Sequence, residues 1–325
     1  MTLNDRIFGK ISITEPVLIE LIKSKPLQRL KAIDQSGYYE PWFPGTKHSR
    51  FEHSVGVCWL LKKYGAPIEE QIAGLIHDVS HTAFSHTSDY IFDTGSEREH
   101  THQDKMFEEM VKRSDIPKII KKHGFNLNYI LNDKNFPLKE KDLPDLCADR
   151  INYSLLTATV LGKSKSVQRI ISNLSVHQNR WVFKDFVVAK EFAELFREIN
   201  NKFYSGLPSA TMFRTLADYL RYAITKKYIS EKDMYETDSY VLAKIKPYLK
   251  SDSRLRLLFR RLSRKTTIKN NPDNYDVEVY CKSRIINPLC WHNKKIMKIS
   301  EIDKDWGKVL KQESIPKHYY LKFVD

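Results

Sequence analysis

Two short runs of the sequence carry histidines and an aspartate at spacings that suit a metal site held between helices. The first run, residues 50–53, ends in His53, and the second, residues 76–86, opens with the pair His77-Asp78. An adjacent histidine and aspartate offer an imidazole nitrogen and a carboxylate oxygen from one helical turn. One such pair is common by chance, whereas the whole ordered set is not. The residues predicted to bind a metal are His53, His77, Asp78 and Asp149.

Further histidines and a carboxylate follow this pair in a polar stretch. A histidine beside a carboxylate is the usual arrangement for proton delivery near neutral pH, and the leaving oxygen of a phosphate ester needs such a proton. Taken singly, each of these residues is more often a hydrogen-bonded structural side chain. The predicted catalytic residues are His81, His86, Asp89 and His102.

The ligand types limit the choice of metal and of chemistry. Imidazole with carboxylate suits Mn, Fe, Co, Ni or Zn better than Ca, which prefers an all-oxygen shell. Four protein ligands on an octahedral ion leave positions for water and a phosphate oxygen. The sequence therefore predicts one divalent transition metal and a phosphoryl-transfer chemistry.

The apolar spacing predicts a mainly α protein whose core is helical and whose tail is a small α+β lobe. A strand pair is expected near residues 7–13, and residues 82–99 are expected to be irregular. Predicted helices cover residues 16–35 (broken at Pro26), 50–64, 67–76, 102–113, 144–161, 189–202, 209–227, 239–249 and 302–312. Predicted strands cover residues 180–188, 277–281, 295–299 and 319–324.

A formal charge of +14 favours an anionic partner, which leaves nucleotide phosphates, nucleic acid and an acidic membrane face open. No apolar run approaches the ~20 residues that span a bilayer, so no membrane association is expected. The start of the chain lacks the apolar segment of a signal peptide. The four cysteines are scattered without paired metal-finger spacing. A reducing, cytoplasmic location is the simplest interpretation.

With these residues in order, the chain resembles the HD-domain phosphohydrolases, whose signature is His, then His-Asp, then a distant Asp. It is similar in particular to their deoxynucleoside triphosphate triphosphohydrolase branch, the dGTPase and SAM-and-HD-domain-like enzymes. The matching segments are residues 4–11, 28–37, 43–57, 73–78, 84–86, 101–102, 149–153 and, more loosely, 271–282.

The resemblance implies an HD-domain catalytic core over residues 1–165, a helical extension over 166–260 and a C-terminal lobe over 261–325. It implies cleavage of a dNTP into deoxynucleoside and triphosphate by a homo-oligomer, a dimer or tetramer, with an additional Mg²⁺ on the substrate phosphates as an option. His86 would protonate the leaving 5′ oxygen. The implied substrate contacts are Gln35 for the sugar, Arg50 and Arg150 for phosphate, and Tyr153 beside the deoxyribose.

Two departures from that branch bear on the substrate. Thr157 stands where these enzymes carry a sugar-contacting aspartate, and Gln103 replaces the glutamate that follows the histidine at position 102. Two other functions therefore stay open. One is a phosphoesterase acting on other nucleotides or on single-stranded nucleic acid, and the other is a non-enzymatic nucleotide sensor or nucleic-acid-binding oligomer.

Overall fold

Helices form most of the protein, and the computed structural model describes residues 1–92 and 94–324. The first half of the chain contains α1 Pro16–Lys23, α2 Lys25–Arg29, α3 Arg50–Lys63, α4 Ile68–Ile76, α5 His102–Lys112, α6 Ile116–Lys122, α7 Leu127–Ile130 and α8 Ala148–Val160. The second half contains α9 Ser164–Asn173, α10 Phe186–Ile199, α11 Leu207–Thr225, α12 Asp238–Ile245, α13 Ser253–Leu262, α14 Ile299–Ile302 and α15 Lys304–Glu313.

The strands are short and form three small sheets. They are β1 Thr2–Asp5, β2 Gly9–Ser12, β3 Leu174–His177, β4 Arg180–Phe183, β5 Thr267–Asn270, β6 Val277–Cys281, β7 Leu289–His292, β8 Lys295–Lys298 and β9 Lys317–Val324. The strand orders are β1-β2, β3-β4-β7-β8 and β5-β9-β6, and the β4-β7 pair is parallel while the others are antiparallel. The prediction of a mainly α protein with a small α+β region near its C-terminus is confirmed.

Helix α3 is the centre of the core that carries the predicted ligands. It begins with a capping box in which Ser49 accepts from the backbone of Glu52 and the Glu52 carboxylate accepts from the Ser49 backbone. Helices α4 and α8 both pack against it. The close approach requires glycine, because a Cβ at Gly74 would lie 2.5 Å from Leu61 and one at Gly56 would lie 2.4 Å from Asn152.

Several predicted elements differ in their bounds for local reasons. The first long helix breaks at Ser24, and Pro26 lies in the first turn of α2, where a missing N–H costs nothing. The strand predicted to reach residue 188 ends at Phe183, because Asp185 caps α10 and starts that helix. Residues 82–99 are not wholly irregular, since Ser85–Tyr90 forms a buried 3₁₀ helix. The proposed domain boundaries stay a prediction.

The four cysteines are all free and buried. Within residues 1–92 and 94–324, no helix combines the length and the apolar character that a membrane crossing requires.

Candidate active site

The four predicted metal ligands lie together where α3, α4 and α8 meet. His53 lies on α3, His77 directly follows α4, and Asp149 lies in the first turn of α8. The His53 Nε2 atom is 2.8 Å from the Asp149 Oδ1 atom and 3.2 Å from the His77 Nε2 atom. The Asp78 Oδ1 atom is 3.3 Å from the His77 Nε2 atom. Three helices therefore deliver imidazole and carboxylate groups to one point.

Hydrogen bonds behind the two imidazoles fix the way each ring faces. The His53 Nδ1 atom is 2.9 Å from Asn152 Oδ1, and the His77 Nδ1 atom is 2.8 Å from the Gly74 carbonyl oxygen. Since both partners are acceptors, each Nδ1 carries a proton, and in the neutral ring Nε2 then offers a lone pair to the shared point. His53, His77 and Asp149 each bring one ligand atom to this point, and these imidazole and carboxylate donors fit a divalent transition metal.

The charges around this point are balanced by a buried arginine. Burial would raise the pKa of Asp78, but Arg50, His77 and His81 outweigh it and hold that pKa well below its usual value. Burial opposes protonation of His77, yet the charges of Asp78 and Asp149 raise its pKa to about 9. In the metal-free chain the His77 imidazole therefore carries a second proton, and a bound metal would displace that proton.

The rings of His81 and His86, two of the predicted catalytic residues, form a row that begins beside Asp78. The His81 Nε2 atom is 3.3 Å from Asp78 Oδ1, and the ring centroids of His81 and His86 are 5.0 Å apart. Behind His86, the Asp89 Oδ2 atom lies 3.4 Å from the His86 Nδ1 atom. Burial and the charge of Arg50 hold the pKa of His86 well below its ordinary value, so the imidazole is neutral in the free chain.

His102 is placed differently from the other predicted catalytic residues. Its backbone N–H donates to Asp89 Oδ1 at 2.9 Å, so it supports the carboxylate behind His86. Its ring nitrogens contact the hydroxyls of Thr94 at 2.6 Å and Tyr235 at 3.2 Å. Among the described residues that line the two cavities beside the metal cluster, the ring of His102 is not included.

An aromatic cavity lies beside the row of rings. Its walls combine four aromatic side chains with a few polar groups. The lining residues are Gln35, Ser36, Tyr39, Arg50, His86, His100, Tyr153, Tyr204, Phe213 and Arg284. Aromatic walls with a small number of polar atoms are typical of small-molecule sites.

A larger polar cleft shares its wall with this cavity. It runs across His77, Asp78 and Asp149, and it shares Gln35, Arg50, His86, His100, Tyr153 and Arg284 with the cavity. Its lining carries basic side chains (Lys112, Lys139, Lys141, Arg150, Lys282 and Arg284) together with the carboxylates of Asp104, Glu108, Asp133, Glu140 and Asp142. An anionic group lying in the cleft would therefore reach the metal ligands.

The predicted substrate contacts divide into two groups. Gln35 and Tyr153 line the cavity, and the Gln35 Oε1 and Tyr153 hydroxyl oxygen atoms are buried without a hydrogen-bond partner in the described chain. Arg50 instead donates at 2.8 Å to each of Asp78 Oδ2, Ser85 Oγ and the Gln35 carbonyl oxygen. Arg150 donates to the carbonyl oxygens of Asp145 and Lys141. The phosphate roles of the two arginines stay predictions.

Thr157 is buried one layer behind the cavity wall. Its Oγ1 atom lies 2.6 Å from the Tyr204 hydroxyl oxygen, and Tyr204 is the residue that faces the cavity. Gln103 donates to the His77 carbonyl oxygen at 2.6 Å and lines the cleft.

Sequence reasoning missed several groups at this site. They are Asn152, His100, Tyr204, Phe213, Lys282 and Arg284. Asn152 could have been found, because it follows Asp149 by three residues on one helical face. The last four lie far along the chain in segments without a local signal.

Comparison with known proteins gives a match between residues 50–152 and the HD domain family. The chain is 34% identical to the uncharacterized protein YdhJ of Bacillus subtilis, over 100% of this chain and 99% of that protein. It is 36% identical to the metal-dependent phosphohydrolase cns2 of Cordyceps militaris, over 53% of this chain and 50% of the relative.

A more distant relative carries a named substrate class. The deoxynucleoside triphosphate triphosphohydrolase SAMHD1 of Mus musculus is 37% identical over 37% of this chain and 21% of its own length. A crystal structure of a hypothetical protein from Aquifex aeolicus superposes with a TM-score of 0.72 at 21% identity, covering 100% of this chain and 96% of that one. At that identity the likeness speaks for the fold alone.

Proposed function

This chain belongs to the HD-domain phosphohydrolases, and from that premise we propose that it hydrolyses deoxynucleoside triphosphates to deoxynucleoside and triphosphate. The coarser statement, a metal-dependent phosphohydrolase, rests on the family and on the His and Asp cluster. The dNTP substrate is the proposal.

One observation carries the substrate class: an aromatic cavity and a polar cleft that contains several basic side chains meet beside the metal ligands. Tyr39, Tyr153 and Phe213 offer ring faces and edges to a nucleoside, while Lys282 and Arg284 stand where the cleft begins. A nucleoside in the cavity would direct its 5′ phosphates into the cleft. The phosphorus nearest the sugar would then lie closest to the His and Asp cluster.

Each group has a chemical role in this arrangement. His53, His77, Asp78 and Asp149 would hold a divalent metal, which supplies charge neutralisation at a phosphoryl group. Attack of water on the α-phosphorus breaks its bond to the 5′ oxygen, and His86 donates the proton that this oxygen takes up. The negative phosphates beside His86 favour its charged form, which reverses the effect of burial in the free chain.

Product analysis tests this proposal. Metal-loaded protein incubated with each dNTP should release deoxynucleoside and intact triphosphate, separated by ion-exchange chromatography. His86→Gln should lose most activity while it keeps its metal content. Release of orthophosphate and dNDP as first products would contradict the placement of the acid.

The bond between Thr157 and Tyr204 favours a second candidate within the same chemistry. Position 157 is a threonine whose hydroxyl bonds Tyr204 behind the cavity wall. It therefore provides no carboxylate to hold the sugar. A phosphoesterase acting on other nucleotides fits this cavity as well. The same product analysis on ribonucleotides and monophosphates distinguishes the two. The predicted homo-oligomer and nucleic-acid partner stay predictions.

A further inference from the structure

The loop that precedes α5 is held against the C-terminal lobe at four successive residues, 97–100. These contacts pair each loop residue with a residue of the segment 280–284. Glu97 accepts from the Tyr280 backbone at 3.0 Å, Arg98 lies 3.9 Å above the Tyr280 ring, Lys282 Nζ donates to the Glu99 carbonyl oxygen at 2.6 Å, and Arg284 Nη2 lies 3.3 Å from His100 Nδ1. The last of these contacts places the His100 ring at the cavity.

The contact with Arg284 fixes the tautomer of His100. A guanidinium can only donate, so His100 Nδ1 must accept, and the proton of the neutral ring then lies on Nε2. Burial, with His86 and the charged Arg284 beside the ring, holds the pKa of His100 well below its ordinary value, which keeps the ring neutral. Two other buried groups of the same cavity, on Gln35 and Tyr153, also lack partners.

The Nε2–H of His100 is a donor without an acceptor. His100 is 7% exposed, and its Nε2 atom has no hydrogen-bond partner among residues 1–92 and 94–324. His100 also adopts a left-handed backbone with φ of 56°. Native proteins leave few buried donors unpaired, and such strain is concentrated at functional sites. Both features point to a ligand atom.

The position of the ring shows which part of a substrate it would reach. The His100 and His86 centroids are 4.4 Å apart, and His100 is 6.2 Å from the Phe213 centroid. His100 thus contacts His86, which would protonate the leaving oxygen, and both rings line the cavity that would hold the leaving group. A second metal between His86, Asp89 and His100 is disfavoured, because Arg284 occupies one ring nitrogen and a proton the other.

We propose that His100 is a specificity residue whose Nε2–H donates a hydrogen bond to a hydroxyl oxygen of the nucleotide sugar, with Arg284 holding its tautomer. This role rests on the proposed function, since it requires a nucleoside in the aromatic cavity. It also supplies a polar sugar contact on a chain that lacks the carboxylate at position 157.

Binding measurements separate the sugar from the phosphates. Calorimetric titrations of the metal-loaded protein would use a ribonucleoside, the 2′-deoxynucleoside, the 2′,3′-dideoxynucleoside and inorganic triphosphate. His100→Phe keeps a ring beside His86 but removes both nitrogens. It should weaken binding of at least one nucleoside that carries a 2′ or 3′ hydroxyl roughly tenfold. Binding of the 2′,3′-dideoxynucleoside, which keeps only the 5′ hydroxyl, and of triphosphate should stay within about twofold. His100→Gln, which retains an N–H donor, should recover part of the loss.

A matched control is His318→Phe, the same chemical change in a ring that stacks on Tyr280 in the C-terminal lobe, outside the cavity. It should leave all four affinities unchanged. Equal losses across the nucleoside series, no loss, or a loss for triphosphate would each overturn the role of His100. A wild-type protein that binds triphosphate but no nucleoside would instead overturn the nucleotide substrate itself, and the sugar contact with it.

Discussion

Replacing Asn152 tests whether the cluster is a metal site through a residue that is not itself a ligand. Its side-chain oxygen accepts from His53 Nδ1 at 2.9 Å, and the residue is only 1% exposed. In Asn152→Ala the His53 Nδ1–H loses its acceptor, so the ring is free to rotate or to move its proton to Nε2. Either change removes the lone pair that faces His77 and Asp149.

The expected loss of metal affinity follows from the position of Asn152, which is hydrogen-bonded to a metal ligand but is not a ligand itself. Loss of such a partner lowers metal affinity by roughly 10- to 100-fold, which corresponds to about 1.4–2.7 kcal/mol. Gly56→Ala should act in the same direction, because its Cβ would lie 2.4 Å from Asn152 Nδ2 and would displace the amide. Competition against a fluorescent chelator measures the affinity, and circular dichroism checks the fold.

Asn287→Ala is the matched control for this change. Asn287 is 6% exposed, bonds Ser300 through both its amide nitrogen and its oxygen, and lines neither the cavity nor the cleft. It should lower the free energy of unfolding by about 1 kcal/mol and leave metal affinity unchanged. A metal affinity in Asn152→Ala equal to that of wild type would refute the assignment of the site.

Two further predictions concern protons and sugar selectivity. Since His77 has a pKa of about 9 in the free chain, metal must displace its proton, so apparent affinity should rise roughly tenfold per pH unit up to about pH 9 and then level off. Calorimetry in buffers of different ionisation enthalpy would measure the released proton, and a flat profile would contradict it. Thr157→Asp places a carboxylate against the Tyr204 hydroxyl and should change the ratio of specificity constants for matched dNTP and NTP pairs; unchanged constants would show that position 157 does not influence the sugar.

The metal end of the site could be predicted because its residues are encoded by short local patterns. The apolar spacing of α3 and α4 indicates both helices, and each helix brings a histidine to the same end of the pair. Helix α4 stops at Ile76, so His77 and His81 do not share a helical face as a continued helix would require. His81 nevertheless reaches Asp78, through the turn that follows.

Elements whose partners are distant could not be predicted in the same way. Strand β5 has four residues and pairs with β9, about 50 residues further along the chain, while β7 pairs with the adjacent β8 and also with β4, more than about 100 residues earlier. Helix α13 appears in the sequence mainly as a run of arginines, yet its buried side, Leu255, Leu258 and Leu262, packs at helical spacing. For β5 the distant partner decides the structure, whereas the leucine spacing of α13 is a local signal that the arginines obscure.

The division between local and distant residues also limits what family membership says about the substrate. The HD domain match covers residues 50–152, which include all four predicted ligands. Of the cavity lining, only Arg50, His86 and His100 fall within it, and the other lining residues come from segments before and after. Substitutions in those segments can alter the sugar and base contacts without touching the ligands. Shared metal chemistry is therefore compatible with different nucleotide substrates. Contacts such as that of Arg284 with His100 would set the nucleotide specificity of this chain.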